Sequence, residues 1–496
     1  MKIQLQVIGS ALRAVAEEMG AVLVRSAFSA NIKERRDCST AIFAADGRMI
    51  AQAEHIPVHL GAMPEAVAAV RARDPRPGET FVVNDPFTGG THLPDVTLVS
   101  RTEVGFAVSR AHYADVGGAE PASLPAGSTD LYQEGLVIPP VPLTDEVVAV
   151  LLANMRNPEE RRGDLRAQLA AHRLAERRLA ELCERRGRVQ VSAAMDELFA
   201  YSERRVRAAL AAVPDGRYEA ADTLEAPEGE LVVHAVVTVA GDEVEIDFAG
   251  TSPQHDGNLN CPLAVTRSAS YFVVRCLTDP DVPASGGAFA PVGVRAPEGS
   301  LVNARPPAAV VAGNVETSGR IADVLFRAFG QVLPVPAQGQ GTMNNLTFGN
   351  ARFTYYETIG GGQGACADAE GPSGVHVTMS NTLNTPVEAL ELAYPLRVER
   401  YALRLGSGGR GRRYGGNGVI REITVLEPCR VSLVSERRAR GPAGTRGGEP
   451  GAPGRNLLNG EPLPAKATRA LAAGESVTIE TPGGGGFGSA PASDGV

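Results

Sequence analysis

The sequence predicts a mixed α/β (α+β), multidomain protein, on three observations. Its first 155 residues alternate helix-period and strand-period stretches. A long, charged helical run then begins abruptly at NPEERRGDLRAQLAAHRLAERRLAELCERRG. Beyond residue 216, short alternating runs separated by glycine clusters take over. A chain of 496 residues has the length for about two to four cores. Four regions are read: 1–155, a mixed-sheet α/β region; 156–215, a helical segment; 216–310, β-rich; and 311–496, a helix followed by a β-rich, Gly-rich stretch.

In the first region, MKIQLQVIGSALRAVAEEMGAVLVRSAFS predicts an amphipathic helix near 4–27, because acids interrupt its apolar pattern and break up a signal-peptide core. Strands follow at 39–44 and 80–84, with a helix near 59–72 between them. DVTLVS, GFAVSRAHY and EVVAVLLANM continue as strand-like runs. In the second region Asn157 suits a cap, Pro158 the first helical position, and Glu159 and Glu160 the positive end of the helix dipole. That helix should break near Gly187 and resume to about 212. LVVHAVVTV and EVEIDFAG read as strands, and SGRIADVLFRAFGQVL as a helix from Ser318. Glycine clusters at 360–364, 406–418 and 483–486, including GSGGRGRRYGGNG, mark turns and close backbone approaches, and the tail SAPASDGV should fray.

Composition excludes several functions. A formal charge of -9 offers no footprint for nucleic acid. No run reaches about 18 uninterrupted apolar residues, so no membrane span is expected. Six cysteines form no C-x-x-C pair, which disfavours zinc ribbons and redox dithiols and favours a reduced, cytoplasmic setting. Cys38 and Cys366 have no base nearby in sequence and read as buried small residues. No G-x-x-x-x-G-K-[ST] loop is present to cradle ATP phosphates.

The densest chemistry lies in NDPFTGGTHLPDVTLVS, residues 84–100. Pro94 makes His92-x-Pro-Asp95 a loop entering a strand rather than a helical pair. If TEVG, 102–105, closes a hairpin, Arg101 faces Phe106 and Asp95 faces His112. Directly opposed residues place their Cβ atoms about 4.5–5.5 Å apart. One metal ion can bridge that gap, with His92 folding back as a third ligand and Asp115 in reserve. Imidazole and carboxylate suit Zn, Mn or Fe(II), and an incomplete shell leaves room for a water whose pKa falls to about 7. The alternative is a plain Asp–His hydrogen bond, since a one-residue slip of register separates the pair.

With these stand SANIKERRDCSTAIFAADGRMIAQAEHIPVHLGAMP, AHYADVGG, YQEGLVIPP, DFAGTSPQ, VAGNVETSGR, QGTMNNLTFG, NTLNTPVEALE and GGEPGAPGRN. Over nearly its full length the chain resembles the hydantoinase B/oxoprolinase family. That resemblance implies His92, Asp95 and His112 as metal ligands, with Asp37 of KERRD as a fourth; a salt bridge from Asp37 to Arg35 or Arg36 is the alternative. Tyr113 stands where the family's AHHADVGG has a second histidine, and the segment between Asp95 and His112 is shorter than usual. Asn314 and Glu316 are read as pocket residues, or as part of a helix start capped by Thr317 or Ser318. His376 is read as a substrate-pocket residue or a structural histidine. The implied function is the metal-containing subunit of an ATP-dependent cyclic amide hydrolase, opening a hydantoin, oxoproline or lactam ring. A hydantoinase A-type partner would use ATP to phosphorylate the amide, within a hetero-oligomer, and Glu316 or Asp115 would move protons. Two other functions remain open: a subunit of an acetone-type carboxylase, and a non-catalytic assembly subunit with a structural metal.

Overall fold

Strands covered on both faces read as nearly continuous apolar runs, and the N-terminal sheet is built that way. The computed structural model describes residues 3–226 and 229–490; of the tail expected to fray, 491–496 lie outside the described residues. Strands β1 (Cys38–Ala44), β2 (Met49–Glu54), β3 (Thr80–Val83), β4 (Asp95–Arg101), β5 (Gly105–His112) and β6 (Val141–Pro142) form an antiparallel sheet ordered β2-β1-β5-β4-β3-β6. Period-two alternation serves two cores. Ile42, Leu98, Ala107 and Ala111 share a core with Leu12, Met19 and Leu23 of helix α1 (Ile3–Ser26). Ala41, Phe43, Val99, Phe106 and Val108 face the other way. After the short α2 (Ala30–Lys33), helix α3 (Met63–Arg71) packs Met63, Val67 and Val70 onto that second face.

EVVAVLLANM is a helix, α4 (Asp145–Ala153), not the expected strand. Thr144 caps it by accepting from Val147 N, and Asp145 and Glu146 occupy its first turn; these end effects outweigh the β-branched run. Helices α5 (Pro158–Arg186) and α6 (Arg188–Leu210) meet at Gly187, whose φ of 85° breaks the run where expected. Asn157 does not cap the backbone; it is left-handed, and its Nδ2 donates to Glu160.

Strands β7 (Gly216–Ala226), β8 (Gly229–Ala240), β9 (Glu243–Asp247) and β10 (Val292–Arg295) form the sheet β10-β9-β8-β7. Between β9 and β10 runs a helix that the strand-like composition of LAVTRSASYFVVRCL concealed, α7 (Leu263–Leu277), which buries Val265, Ala269 and Val273. Helix α8 (Ser318–Phe329) starts at the expected residue but has no Thr317 or Ser318 cap. It continues a π-helical turn, Gly313–Thr317, and those two hydroxyls donate to Leu259 O and Asn314 O.

The C-terminal half carries β11 (Asn345–Gly349), β12 (Thr354–Glu357), α9 (Val387–Ala393), β13 (Leu396–Arg404), β14 (Gly418–Val425), β15 (Cys429–Val434), β16 (Arg455–Leu458), β17 (Glu461–Leu463), β18 (Lys466–Leu471) and β19 (Ser476–Glu480). They make two sheets, β12-β11-β15-β18 and β13-β14-β19-β16-β17. Glycine-rich segments stack beside them. Gly484 N donates to Gly416 O, and a Cβ on Gly484 would lie 2.0 Å from Gln363 O. Among the described residues no helix is long and apolar enough to cross a membrane.

His172 fastens α5 to the sheet, its Nδ1 2.6 Å from Ser100 Oγ and its Nε2 2.8 Å from Ser109 Oγ. Burial pushes this imidazole down to about 3. The unfolded chain therefore binds a proton that the folded chain refuses, between about pH 6.5 and 3. Stability contributed by neutral His172 is full above that window and falls as pH falls through it, by at most about 1.4 kcal/mol per pH unit. Denaturant titrations from pH 7 to 4.5 should show this slope, and His172→Gln should flatten it.

Candidate metal centre

The hairpin has the register that its loop length predicts: Arg101 pairs with Phe106 and Asp95 with His112. His92 comes back to the pair through a locked turn. Gly89 has a φ of 96°, and a Cβ there would lie 2.2 Å from Ala66 N. Asn84 Nδ2 donates to Leu93 O at 2.8 Å, and Arg110 Nη2 donates to Gly89 O at 2.6 Å. Three ligand atoms then converge: His92 Nε2, His112 Nδ1 and Asp95 Oδ1 lie 3.2 Å from one another in every pair, all buried.

That triangle fits a cation. Metal–ligand bonds of about 2.0–2.2 Å place neighbouring ligand atoms about 2.8–3.6 Å apart across octahedral and tetrahedral shells. A single proton can serve only one edge of the triangle, whereas a divalent ion satisfies two imidazole lone pairs and a carboxylate together. Burial disfavours the charge of Asp95, but His92, with hydrogen bonds from His112, His59 and His92, holds the carboxyl well below its usual range. Thr91 Oγ1 also donates to Asp95 Oδ2.

His59 was not anticipated as a site residue. It ends the 3-10 turn Pro57–His59, with Nε2 3.5 Å from Asp95 Oδ2 and Nδ1 3.0 Å from Ser39 Oγ. The second histidine of the HIPVH stretch was its only signal. Tyr356 was missed as well: its ring stacks on His112 with centroids 4.6 Å apart. Its hydroxyl donates to Asn345 Oδ1, and Asn345 Nδ2 donates to Glu316 Oε1, both at 2.9 Å.

The ligand atoms border a cavity of about 20 Å³, which Asp37, His59, Asn314, Tyr356, Thr358 and Thr382 also line. Asn314 Oδ1 is buried there without a partner. Asp37 lines the cavity but lies outside the compact three-residue cluster. Its alternative partner Arg35 donates instead to Thr358 and Thr382. Glu316 is not among the lining residues. Burial, then Glu436, pushes it up to about 8, and its Oε2 has no partner. His376 also stands behind the wall, against Ser380 and Thr382. Asp115 is elsewhere: Oδ1 accepts from Gly117 N and Arg156 N, and Oδ2 from Ala122 N and Arg156 Nη1. Four donors make it the anchor of its loop and leave it no free lone pair for proton transfer. Of the two cysteines, Cys38 is buried as expected, while Cys366 is half-buried and donates to Asp368.

Fold and donor set together are those of a mixed α/β protein with one buried three-residue group, among the described residues, that could hold a metal ion. The chain belongs to the hydantoinase B/oxoprolinase family, whose model matches residues 1–490. It is 39% identical to 5-oxoprolinase 1 of Arabidopsis thaliana over 98% of this chain but only 42% of that protein. A Pseudomonas protein named as the B-type subunit of a D-/L-hydantoinase is 31% identical, over 98% of this chain and 90% of its own length. Among solved structures, the ATP-dependent caprolactamase of Pseudomonas jessenii superposes with a TM-score of 0.92 at 29% identity, covering 99% and 91% of the two chains. Acetone carboxylase superposes at 0.88 with 17% identity, over 98% and 75%, which is a likeness of fold.

Purified protein should contain about one divalent ion per chain by elemental analysis. His92→Ala and His112→Ala should each lose most of it while keeping the native circular dichroism. Asp115→Asn should keep the metal and instead lose about 2–4 kcal/mol of stability, because buried donors are left facing an amide. Metal retained in both histidine variants would remove the site.

Proposed function

We propose that this chain is the metal-holding subunit of an ATP-dependent cyclic amide hydrolase, acting with a hydantoinase A-type, ATP-binding partner. The observation that carries the reading is the His92–Asp95–His112 triangle on a small cavity that also presents the unpaired acceptor Asn314 Oδ1. The relative named as a B-type hydantoinase subunit, which this chain matches over 90% of that protein's length, supports a partner subunit. Ring opening of hydantoin, 5-oxoproline or a lactam is the common chemistry.

In this reading the partner phosphorylates the amide oxygen, which turns a poor electrophile into an imidate-like carbon; water adds there, the C–N bond breaks as nitrogen takes a proton, and a second water hydrolyses the acyl phosphate that remains. A divalent ion held by His92, Asp95 and His112 would supply Lewis acidity and a water of lowered pKa. The chain's own residues do the rest. Asn314 Oδ1 accepts from the ring N–H and orients the amide. His59 and Thr91 hold Asp95 charged and aimed. Tyr356 fixes the plane of the His112 ring. Glu316, pushed up to about 8, stands behind the cavity wall; its Oε1 accepts from Asn345 Nδ2 and Asn345 Oδ1 accepts from Tyr356, so its protonated form keeps Tyr356 in place.

Reconstituted with its partner through an interface of about 2,000 Å² or more, the complex should open a cyclic amide with ATP consumption and take oxygen from labelled water. The chain alone should be inactive. Labelled bicarbonate appearing as a new carboxylate would instead make it a carboxylase subunit, the chemistry named for its second structural neighbour. Activity should also decline as pH rises through about 8, where Glu316 loses its proton. Glu316→Gln, which mimics the protonated acid and cannot titrate, should keep most of kcat and erase that alkaline limb; an unchanged profile would take the positioning role from Glu316.

A further inference from the structure

The wall contributed by the C-terminal half holds more hydrogens than it can use. Thr358, Ser380 and Thr382 line the metal cavity. Thr358 Oγ1 and Thr382 Oγ1 are 2.6 Å apart, and both accept from Arg35 Nη2, at 2.6 and 2.9 Å. His376 completes the group, with Nδ1 2.7 Å from Ser380 Oγ and Nε2 3.3 Å from Thr382 Oγ1. Burial, then Arg35, pushes this imidazole down to about 3, so it is neutral and carries one N–H. Three hydroxyls and one N–H bring four hydrogens, while the Thr–Thr, His–Ser and His–Thr contacts consume three. One hydroxyl hydrogen is left over, and the open side of the hydroxyls is the cavity.

Charge stands behind that donor. Arg35 is fully buried, its Nε and Nη1 have no partner, and among the described residues no carboxylate forms an ion pair with it. A guanidinium held so far from water without a counter-charge is costly. It also polarises the hydroxyls to which it donates, in a medium that screens weakly. Both facts favour negative charge at the hydroxyls, in a cavity that Asp37 and Asp95 also line.

We infer that Thr358, Ser380 and Thr382 form an oxyanion-stabilising wall of the metal cavity, with Arg35 supplying its charge and His376 setting the direction of its hydrogens. Its ligand is an oxygen that bears or gains negative charge: a carboxylate, or the oxygen that attack adds to the activated amide carbon. The second form rests on the function proposed above; the first does not. Arg35 and His376 act through the hydroxyls and are positioning residues.

A cavity of about 20 Å³ calls for a small probe, so formate is titrated calorimetrically into the metal-loaded full chain, with metal content measured for every variant. Thr358→Val, Ser380→Ala and Thr382→Val combined, which remove every hydroxyl of the wall, should weaken formate about tenfold or more, the worth of a hydrogen bond to a charged group; each single variant keeps a spare hydrogen and should cost less. Thr382→Ser, which keeps the hydroxyl, should recover affinity to within about threefold. Ser380→Ala, the smallest excision, covers the case in which a valine variant fails to fold. Arg35→Gln should match the combined variant, and Arg35→Lys should regain part of the loss. In an active complex, Thr382→Val should lower kcat with KM little changed, because the contact strengthens as charge develops. Formate affinity unchanged in the metal-loaded combined and alanine variants, or absent in the wild type, would overturn the wall. Formate held as expected by a complex that opens no cyclic amide would keep the wall and remove the proposed substrate class.

Discussion

A carboxylate buried at the mouth of a hairpin sets the terms for everything around it. Asp95 is the first residue of β4, inside a sheet covered on both faces, and a charge there costs several kcal/mol unless partners meet it from more than one side. His112 arrives by strand pairing, His92 and Thr91 by the locked glycine turn, and His59 by a 3-10 turn held on Ser39. Each route needs a rigid platform, and the platform is the sheet itself. The two apolar cores that clamp it are thus the condition for a charged centre with fixed geometry.

The centre is also a joint between distant parts of the chain. Arg35, beside β1, donates to Thr358 and Thr382, more than 300 positions away, and Tyr356 of β12 lies flat on His112. Glu120 pairs with Arg430, and Ser432 Oγ donates to Leu124 O, along the same seam. The N-terminal sheet supplies the convergent ligands, and the C-terminal half supplies the hydroxyl wall. Chemistry at this site therefore depends on the seam as much as on the triangle.

What was legible in sequence follows from the range of the interactions involved. The β4–β5 register was readable because a four-residue loop and a period of two leave one pairing that buries both faces, and this brought Asp95 opposite His112. Helices with marked ends, α5, α6 and α8, were readable near their limits. α4 and α7 were not, since their β-branched residues carry strand propensity and only a Thr144 cap or an apolar face meeting its partner decides for helix. His59, Tyr356 and the Arg35 wall depend on contacts across tens to hundreds of residues, and no local period announces them. The same holds for Asp115: its acid stands beside the histidine in sequence, but Arg156 claims it.

Tyr113 shows how strand geometry sorts neighbours that sequence places together. It follows His112 directly, so the alternation that turns His112 toward the cavity turns Tyr113 to the opposite side. There it is buried in the core shared with α1 and α5, and its hydroxyl donates to Gln168 Oε1 at 2.9 Å. Gln168 Nε2 in turn donates to Val96 O and Ser109 Oγ, so the pair ties α5 to both strands of the ligand-bearing hairpin. The departure from the two-histidine motif therefore leaves the three ligand atoms untouched. It falls on the helix that backs the hairpin, where a phenol that reaches Gln168 does the work of holding the strands still.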